Sequence, residues 1–408
     1  MKRHTPAVLA VLIIAALAVA ACGRKAPSGS TGTTAATPTA PSASDRAAVA
    51  RSVASAALIK SGDRVIISGS VRDADLLEDL AVETMKLGGQ PLIALGSQHL
   101  DRRSYDEVPA SFDTLTPTLG IALANSFEVQ LGVDYGESDS AFAGVSPARI
   151  AARSKANAPA NAVFYRRGVR GVNVGNGLYP TAQLARRLGV PQSDLANLFW
   201  RAVAMAPDSI RARGAAARAA LAGGRQVAIT APNGTNFHFV VDGSKVALSD
   251  GALTPQGLRQ GGAARYTWLP AGELQAPPVA GTAEGKIVID KVIVRGTDVI
   301  GLTLNFSRGR LTSMTATSGI EPLQASYDAA GGAKDQFAGI DLGLNPQITL
   351  PLTTGRIVWM AAGAVAVGCG DNQGNGGSNV SDFGMWGSIA GATVTVDGRA
   401  IVENGALK

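Results

Sequence analysis

The residues with the most chemical potential lie in one stretch, 363–387, reading GAVAVGCGDNQGNGGSNVSDFGMWG. An apolar run there breaks into a loop crowded with glycine and asparagine, with Cys369, Asp371 and Asp382 set among them. Such a loop has three readings: a phosphate cradle, a metal site, or the remnant of a site that has lost its ligands. The phosphate reading is weak, because Gly374-Asn375-Gly376-Gly377 lacks the Lys-Ser/Thr that completes a P-loop. Zinc usually takes nitrogen and sulfur ligands, yet the chain has three histidines, His4, His99 and His238. His238 falls in NFHFVV, whose alternation marks it as a strand residue, so no histidine pair is at hand in the C-terminal half. Carboxylates, with a Cys369 thiolate, could instead build a hard-oxygen site for calcium, magnesium or manganese. Against that stands turn chemistry, since Asp and Asn side chains hydrogen-bond their own loops. No GxSxG nucleophile elbow is present; the nearest string is Ser68-Gly69-Ser70.

The elements that must position these residues fall into two textures. RVIISGS at 64–70 is a short β-branched run, DADLLEDLAVETMKLGG at 73–89 places Leu76, Leu77, Leu80, Val82 and Met85 near a 3.6 period, and PLIALGS at 91–97 reads as the next buried strand. This βαβ unit implies a parallel sheet with a right-handed connection. Helix starts at Pro180-Thr181, Pro191 and Pro207 follow, the last helix stopping at Gly223-Gly224. From Arg225 the texture turns to strands: RQVAIT, NFHFVVDG, GKIVIDKVIV, GLTLNFSRGRLTSMTA and ATVTVDGRAIVENG. The expected fold class is α/β: an N-terminal βαβ (parallel-sheet) domain over 46–224, then a β-rich α+β domain over 225–408.

The N-terminus sets the expected compartment. Lys2 and Arg3 precede an apolar run from Ala7 to Ala18, too short for a membrane span and suited to an export signal over 1–22. Val19-Ala20-Ala21-Cys22 resembles a bacterial lipobox, which implies cleavage before Cys22 and acylation of its thiol; an ordinary signal peptide is the alternative. Gly23 after the cysteine points to the outer membrane, facing the periplasm, if the host is Gram-negative. Residues 23–45, rich in Ser, Thr, Pro and Ala, form a flexible tether. With Cys22 lipidated only Cys369 is left, so no intrachain disulfide is expected. The net charge of +6 falls to about +4 without Lys2 and Arg3, too diffuse for a nucleic-acid partner. The arginines between Arg166 and Arg225 recur beside alanines at helical spacing, as on solvated helix faces.

Several segments in order carry a resemblance. VGNGLYPTAQLARRLGV, GRQVAITAPNGTNFHFVVDG, LPAGELQAPPVAGTAEGKIVI, GLNPQITLPL and TVTVDGRAIVENG resemble the thermophilic metallo-aminopeptidases of the aminopeptidase T and S type. That family implies a two-domain, usually dimeric exopeptidase with a pair of divalent ions in its C-terminal domain. Its ligands are a Glu in P-x-G-E, a Glu before G-x-N-P, a His in G-T-x-H-x-A-x-G, and an H-x-D after a G-G-x-N-x-S turn.

Carried onto this chain, the pattern leaves little. Pro270-Ala271-Gly272-Glu273 supplies the first glutamate. Gly339 stands where the second belongs, with Asp341 two positions on and on a shorter stem. Ala364 takes the histidine position, and Gly384-Met385-Trp386 replaces H-x-D after the surviving turn Gly376-Gly377-Ser378-Asn379. The resemblance therefore implies a degenerate site whose remaining or altered ligands are Glu273, Asp341, Asp371 and Asp382, with no catalytic residue assigned. The expected protein is an envelope lipoprotein, non-catalytic and without a cofactor, held to the membrane through Cys22 and binding a peptide or an envelope protein. The alternative is an aminopeptidase using divalent metal at a carboxylate-rich site.

Overall fold

The structure, a computed structural model, describes residues 43–408 apart from 139, 140, 143, 295 and 351–353. The expected signal, Cys22 and nearly all of the expected tether lie outside the described residues. No helix among the described residues is long and apolar enough to cross a membrane.

The chain forms two compact units. The first comprises the described residues up to Ala204 together with Gly251–Leu269, and the second Met205–Asp250 with Pro270–Lys408. This division differs from a single boundary at Gly224. The helix Pro207–Gly223 groups with the second unit, and the strand Tyr266–Leu269 returns to the first to pair with Arg170–Val174. The change of texture at Arg225 marks where strands begin, and long-range sheet pairing decides which unit a segment joins.

The first unit is built on a parallel sheet in the order Gln90–Gly96, Arg64–Ser70, Val129–Val133, Arg170–Val174, Tyr266–Leu269. The helix Ala74–Lys86 crosses between the first two strands in sequence, burying Leu76, Leu77, Leu80, Ala81 and Thr84. Val82 and Met85, expected on that buried face, are exposed. The helix turns Ala81 and Thr84 inward in their place, and Thr84 satisfies its hydroxyl on Leu80 O at 2.8 Å. The strand Gln90–Gly96 is also less buried than its apolar run suggests. It is the sheet edge, and Leu92 and Leu95 are 55% and 59% exposed.

The helices Ala182–Leu188, Gln192–Val203 and Pro207–Gly223 start and stop at the expected signals. Thr181 caps the first by accepting from Leu184 N at 3.1 Å, which satisfies one of the unpaired donors of the opening turn. A longer helix, Pro147–Arg167, runs through Pro159 without an apolar period to announce it.

The second unit stacks two antiparallel sheets. One has eight strands in the order 310–315, 297–307, 284–294, 236–240, 226–230, 393–396, 399–403, 406–407. The other has five: Gly384–Ser388, Val365–Gly370, Phe337–Gly343, Glu273–Ala276 and Ala247–Ser249. Phe337 of the five-stranded sheet meets Phe237, Phe239 and Phe306 of the eight-stranded one at ring separations of 4.7, 5.0 and 5.6 Å. Aromatic pairs at such spacing add to the apolar burial that joins the sheets.

Candidate functional site

Register on the five-stranded sheet decides which side chains share a face. The strand Phe337–Gly343 pairs with Glu273–Ala276 so that Asp341 stands opposite Gln275 and Gly343 opposite Glu273. On its other side Gly339 faces Gly368 and Asp341 faces Ala366. Further out, Gly368 faces Trp386 and Ala366 faces Ser388. Because residues alternate between faces, Glu273, Gln275, Asp341, Gly339, Ala366, Gly368, Trp386 and Ser388 share one face. Phe337, Ile340, Leu342, Val367 and Cys369 point into the core. A bulge between Phe337 and Gly339 makes this switch possible, since one extra residue reverses the alternation.

The stretches that carry the family resemblance lock together here. Asn345 of Gly343-Leu344-Asn345-Pro346 is fully buried and donates from Nδ2 to Ala271 O at 2.9 Å. Leu344 N donates to Gly272 O at 2.8 Å, and Gly272 N to Ser249 O at 3.0 Å. Glu273 is thereby fixed at the start of its strand, half-buried, diagonally across from Asp341.

Asp341 is 1% exposed and accepts one hydrogen bond, from Gln275 Nε2 to Oδ2 at 3.2 Å. Its Oδ1 is buried with no hydrogen-bond partner among the described residues. Burial, and then the nearby Glu273 charge, hold its carboxyl well above the usual carboxylate range, with Gln275 pulling the other way. An uncompensated buried carboxylate neutralises instead of staying charged. Ser388 Oγ, two strands away across Ala366, is likewise buried without a partner.

The remaining ligand positions hold no donors. Gly339 has φ 138°, and a Cβ there would fall 2.8 Å from Ala276 O, so the backbone has no room for a glutamate at that position. Ala364 is buried. Trp386 lies so close to Gly368 that a Cβ there would come within 2.4 Å of the indole, and Trp359 packs edge-on to the same ring at 5.4 Å. An indole covers the face where the family pattern places a carboxylate.

The other candidates are placed elsewhere. Asp371 and Asp382 sit in the loop between two strands, where Asp371 Oδ1 accepts from Ser381 N at 3.4 Å and Asp382 is exposed. Among the described residues no group of three or more His, Cys, Asp or Glu could hold a metal ion, so the four carboxylates do not form one cluster. Cys369 is in the core; burial pushes its thiol up to about 12, and it donates to Lys334 O at 3.2 Å. On the core face opposite Phe337, it is turned away from Glu273 and Asp341. His238 projects from the exposed side of its strand, and His99 is exposed on the helix Gln98–Asp106.

The glycine-rich turn itself is rigidly tied. Asn372 Nδ2 donates to Ala338 O at 2.8 Å, Asn379 N to Asn372 Oδ1 at 2.8 Å, and Asn379 Nδ2 to Phe337 O and Gly370 O at 3.1 Å each. A Cβ at Gly377 would land 2.1 Å from the Asn372 amide, which explains the glycine. The turn is a scaffold held by asparagines.

A second polar cluster, which no motif announced, lies in the first unit beyond the carboxyl ends of Arg64–Ser70 and Val129–Val133. There the sheet order reverses, the place where open α/β sheets often bind ligands. Here the chain fills that place itself. Arg72 bonds Asp73 Oδ2 at 3.1 Å and the Asp134 carbonyl at 2.5 Å, and stacks 4.5 Å from the Tyr179 ring centre. The Tyr179 hydroxyl donates to Asp73 Oδ1. Asp134 accepts from Asn173 Nδ2 at 3.2 Å, and desolvation raises its carboxyl to about 6. Polar residues directly after two parallel strands were the available signal.

The architecture is thus a parallel α/β unit and a two-sheet unit, with the Pro270–Glu273 and Gly343–Pro346 stretches interlocked in the latter. The profile of the thermophilic metalloprotease (M29) family matches residues 46–336, and the chain belongs to that family. Wild-type AmpT from Thermus thermophilus superposes with a TM-score of 0.64 at 17% identity, over 89% of this chain and 99% of that one. The 2,5-dihydroxypyridine dioxygenase of Pseudomonas putida KT2440 gives 0.55 at 14% identity, over 90% and 98%. No curated protein sequence matches. AmpT and a dioxygenase share this fold with the chain, so the side chains present, and not the fold, must decide the chemistry. The family match ends at Gln336, before the 339–386 span in which the ligand positions have changed. The residues there do not fit a pair of divalent ions: on that face Glu273 and Asp341 are the only carboxylates among the expected ligands, Gly339 has no room for a side chain, and an indole lies over Gly368.

Proposed function

We propose that this chain is a lipid-anchored envelope protein that uses the metalloprotease fold as a scaffold for binding a peptide or partner protein, without two-metal hydrolysis. The observation that carries this reading is the sheet face on which Gly339, Ala364, Gly384 and Trp386 replace ligands while Glu273 and Asp341 alone converge. Two-metal catalysis needs ions fixed by several ligands on both sides of the reacting bond, and two diagonal carboxylates do not supply them. The test is release of N-terminal residues from short peptides, with and without chelator. The reading predicts no release above background, and release abolished by chelator and by Glu273→Gln would contradict it.

The anchoring half of the proposal rests on Cys22. Cys22→Ser should free the folded body into the soluble fraction or stall its processing, and a correctly processed variant that stays on the membrane would refute it.

One observation favours a second reading, an aminopeptidase with an altered metal site. Asp341 Oδ1, on the same face as Glu273, lacks a partner among the described residues, and buried polar atoms are ordinarily satisfied. A hard cation held by oxygen would satisfy it.

A further inference from the structure

The second unit holds a cavity of about 180 Å³ whose lining does not include Glu273 or Asp341. Its wall is formed by Asp242 and Lys245 on one side, Pro277, Pro278 and Phe337 on another, and the Gly377-Ser378-Asn379 turn. It adjoins the opposite end of the Phe337–Gly343 strand from Glu273, on the order of 20 Å away by strand rise. The cavity shares the Gly377-Ser378-Asn379 turn with the family pattern but not Glu273.

Its lining selects a class of ligand by charge. Asp242 and Lys245 form an ion pair at 3.0 Å, and Ser244 Oγ donates to Asp242 Oδ1 at 2.6 Å. A simple anion entering here would face the Asp242 carboxylate, and a simple cation the Lys245 ammonium. A zwitterion meets neither penalty. It can lie antiparallel to the pair, its carboxylate beside the ammonium and its ammonium beside the carboxylate, so no net charge is added to the wall. Pro277, Pro278 and the exposed Val279 give the rest of the ligand an apolar surface. The volume is below the roughly 300–1,000 Å³ of pockets that take drug-sized molecules, which favours one small molecule over a chain. The asparagine-tied turn makes this wall pre-formed, so little ordering entropy opposes binding.

We propose that this cavity is a binding site for a free aliphatic α-amino acid, held by the Asp242–Lys245 pair. The proposal does not depend on whether the remnant site is catalytic.

Calorimetric titration of the full chain, purified in mild detergent, with L-valine tests it. L-Valine should bind saturably, while N-acetyl-L-valine and L-valinamide, each lacking one charge, should bind about tenfold or more weakly, as expected for loss of a charged hydrogen bond. Lys245→Gln and Asp242→Asn should each weaken valine binding about tenfold or more, and Lys245→Arg should retain most of it. Melting curves establish that the variants fold; should one not, the analogue series on the wild-type chain decides alone. No saturable binding up to roughly 10 mM, the weak end of specific affinity, would overturn the proposal. So would equal affinity for valine and its single-charge analogues, or affinity unchanged in folded Lys245→Gln and Asp242→Asn.

Discussion

Trp386 lies across Gly368 on the neighbouring strand, close enough that a Cβ added at Gly368 would fall 2.4 Å from indole Cε2. The glycine and the tryptophan fit as a pair, and the position that the family pattern gives to an aspartate ligand is filled by packing. Gly368→Ala should therefore destabilise the protein by about 1–3 kcal/mol, the usual range for overpacking. The cost should shrink when Trp386→Ala is made as well. Denaturant melts of the double-mutant cycle measure this coupling, and additive effects would show that the two do not press on each other.

Restoring the missing ligands should not restore the site. Ala364→His, Gly384→His and Trp386→Asp together supply three donors, but Gly339 sits at φ 138° with Ala276 O in the way of any side chain. Calorimetric metal titration of the triple variant should show weak binding at best. Adding Gly339→Glu should lower the melting temperature further without tightening it. Tight, stoichiometric zinc in the triple variant would mean that the backbone obstacle at Gly339 does not matter.

Stability should fall as pH rises through the window set by Asp134. Its carboxyl is raised from 3.8 to about 6, because desolvation outweighs the Asn173 hydrogen bond and the Arg72 charge. Between those values the folded state binds more protons than the unfolded one, so stability declines with rising pH and levels off above about 6. Asp134→Asn keeps an acceptor for Asn173 and removes the ionisation. Its melting temperature should exceed wild type above pH 6 and converge with it near pH 4, as followed by circular dichroism; a constant offset at all pH values would contradict the assignment.

Much of the architecture could be read from local pattern, because caps and periods are local. The helix Ala74–Lys86 announced itself through Leu76, Leu77 and Leu80, and Thr181, Pro191 and Pro207 marked three helix starts. Period alone misplaced Val82 and Met85, since it does not say how far the neighbouring element extends over the helix. PLIALGS read as buried for a similar reason: a short apolar run looks the same at an edge as in the middle of a sheet, and its place was decided by pairing with residues far away in sequence. The replaced ligands were legible because ligand identity is written in residue type. What replaces them was not. The bulge at Gly339, the indole over Gly368 and the proximity of Asp341 to Glu273 all depend on cross-strand register. The cavity beside Asp242 and Lys245 depends on loops brought together from distant parts of the chain, and no spacing in the sequence signals it.

The most direct test of the central claim is metal stoichiometry. The full chain, purified and dialysed against zinc, cobalt or manganese and then against metal-free buffer, should retain well under one equivalent of any of them by plasma mass spectrometry. Retention of one or two equivalents, lost on Glu273→Gln or Asp341→Asn, would show that the carboxylate face still holds metal and would contradict the account.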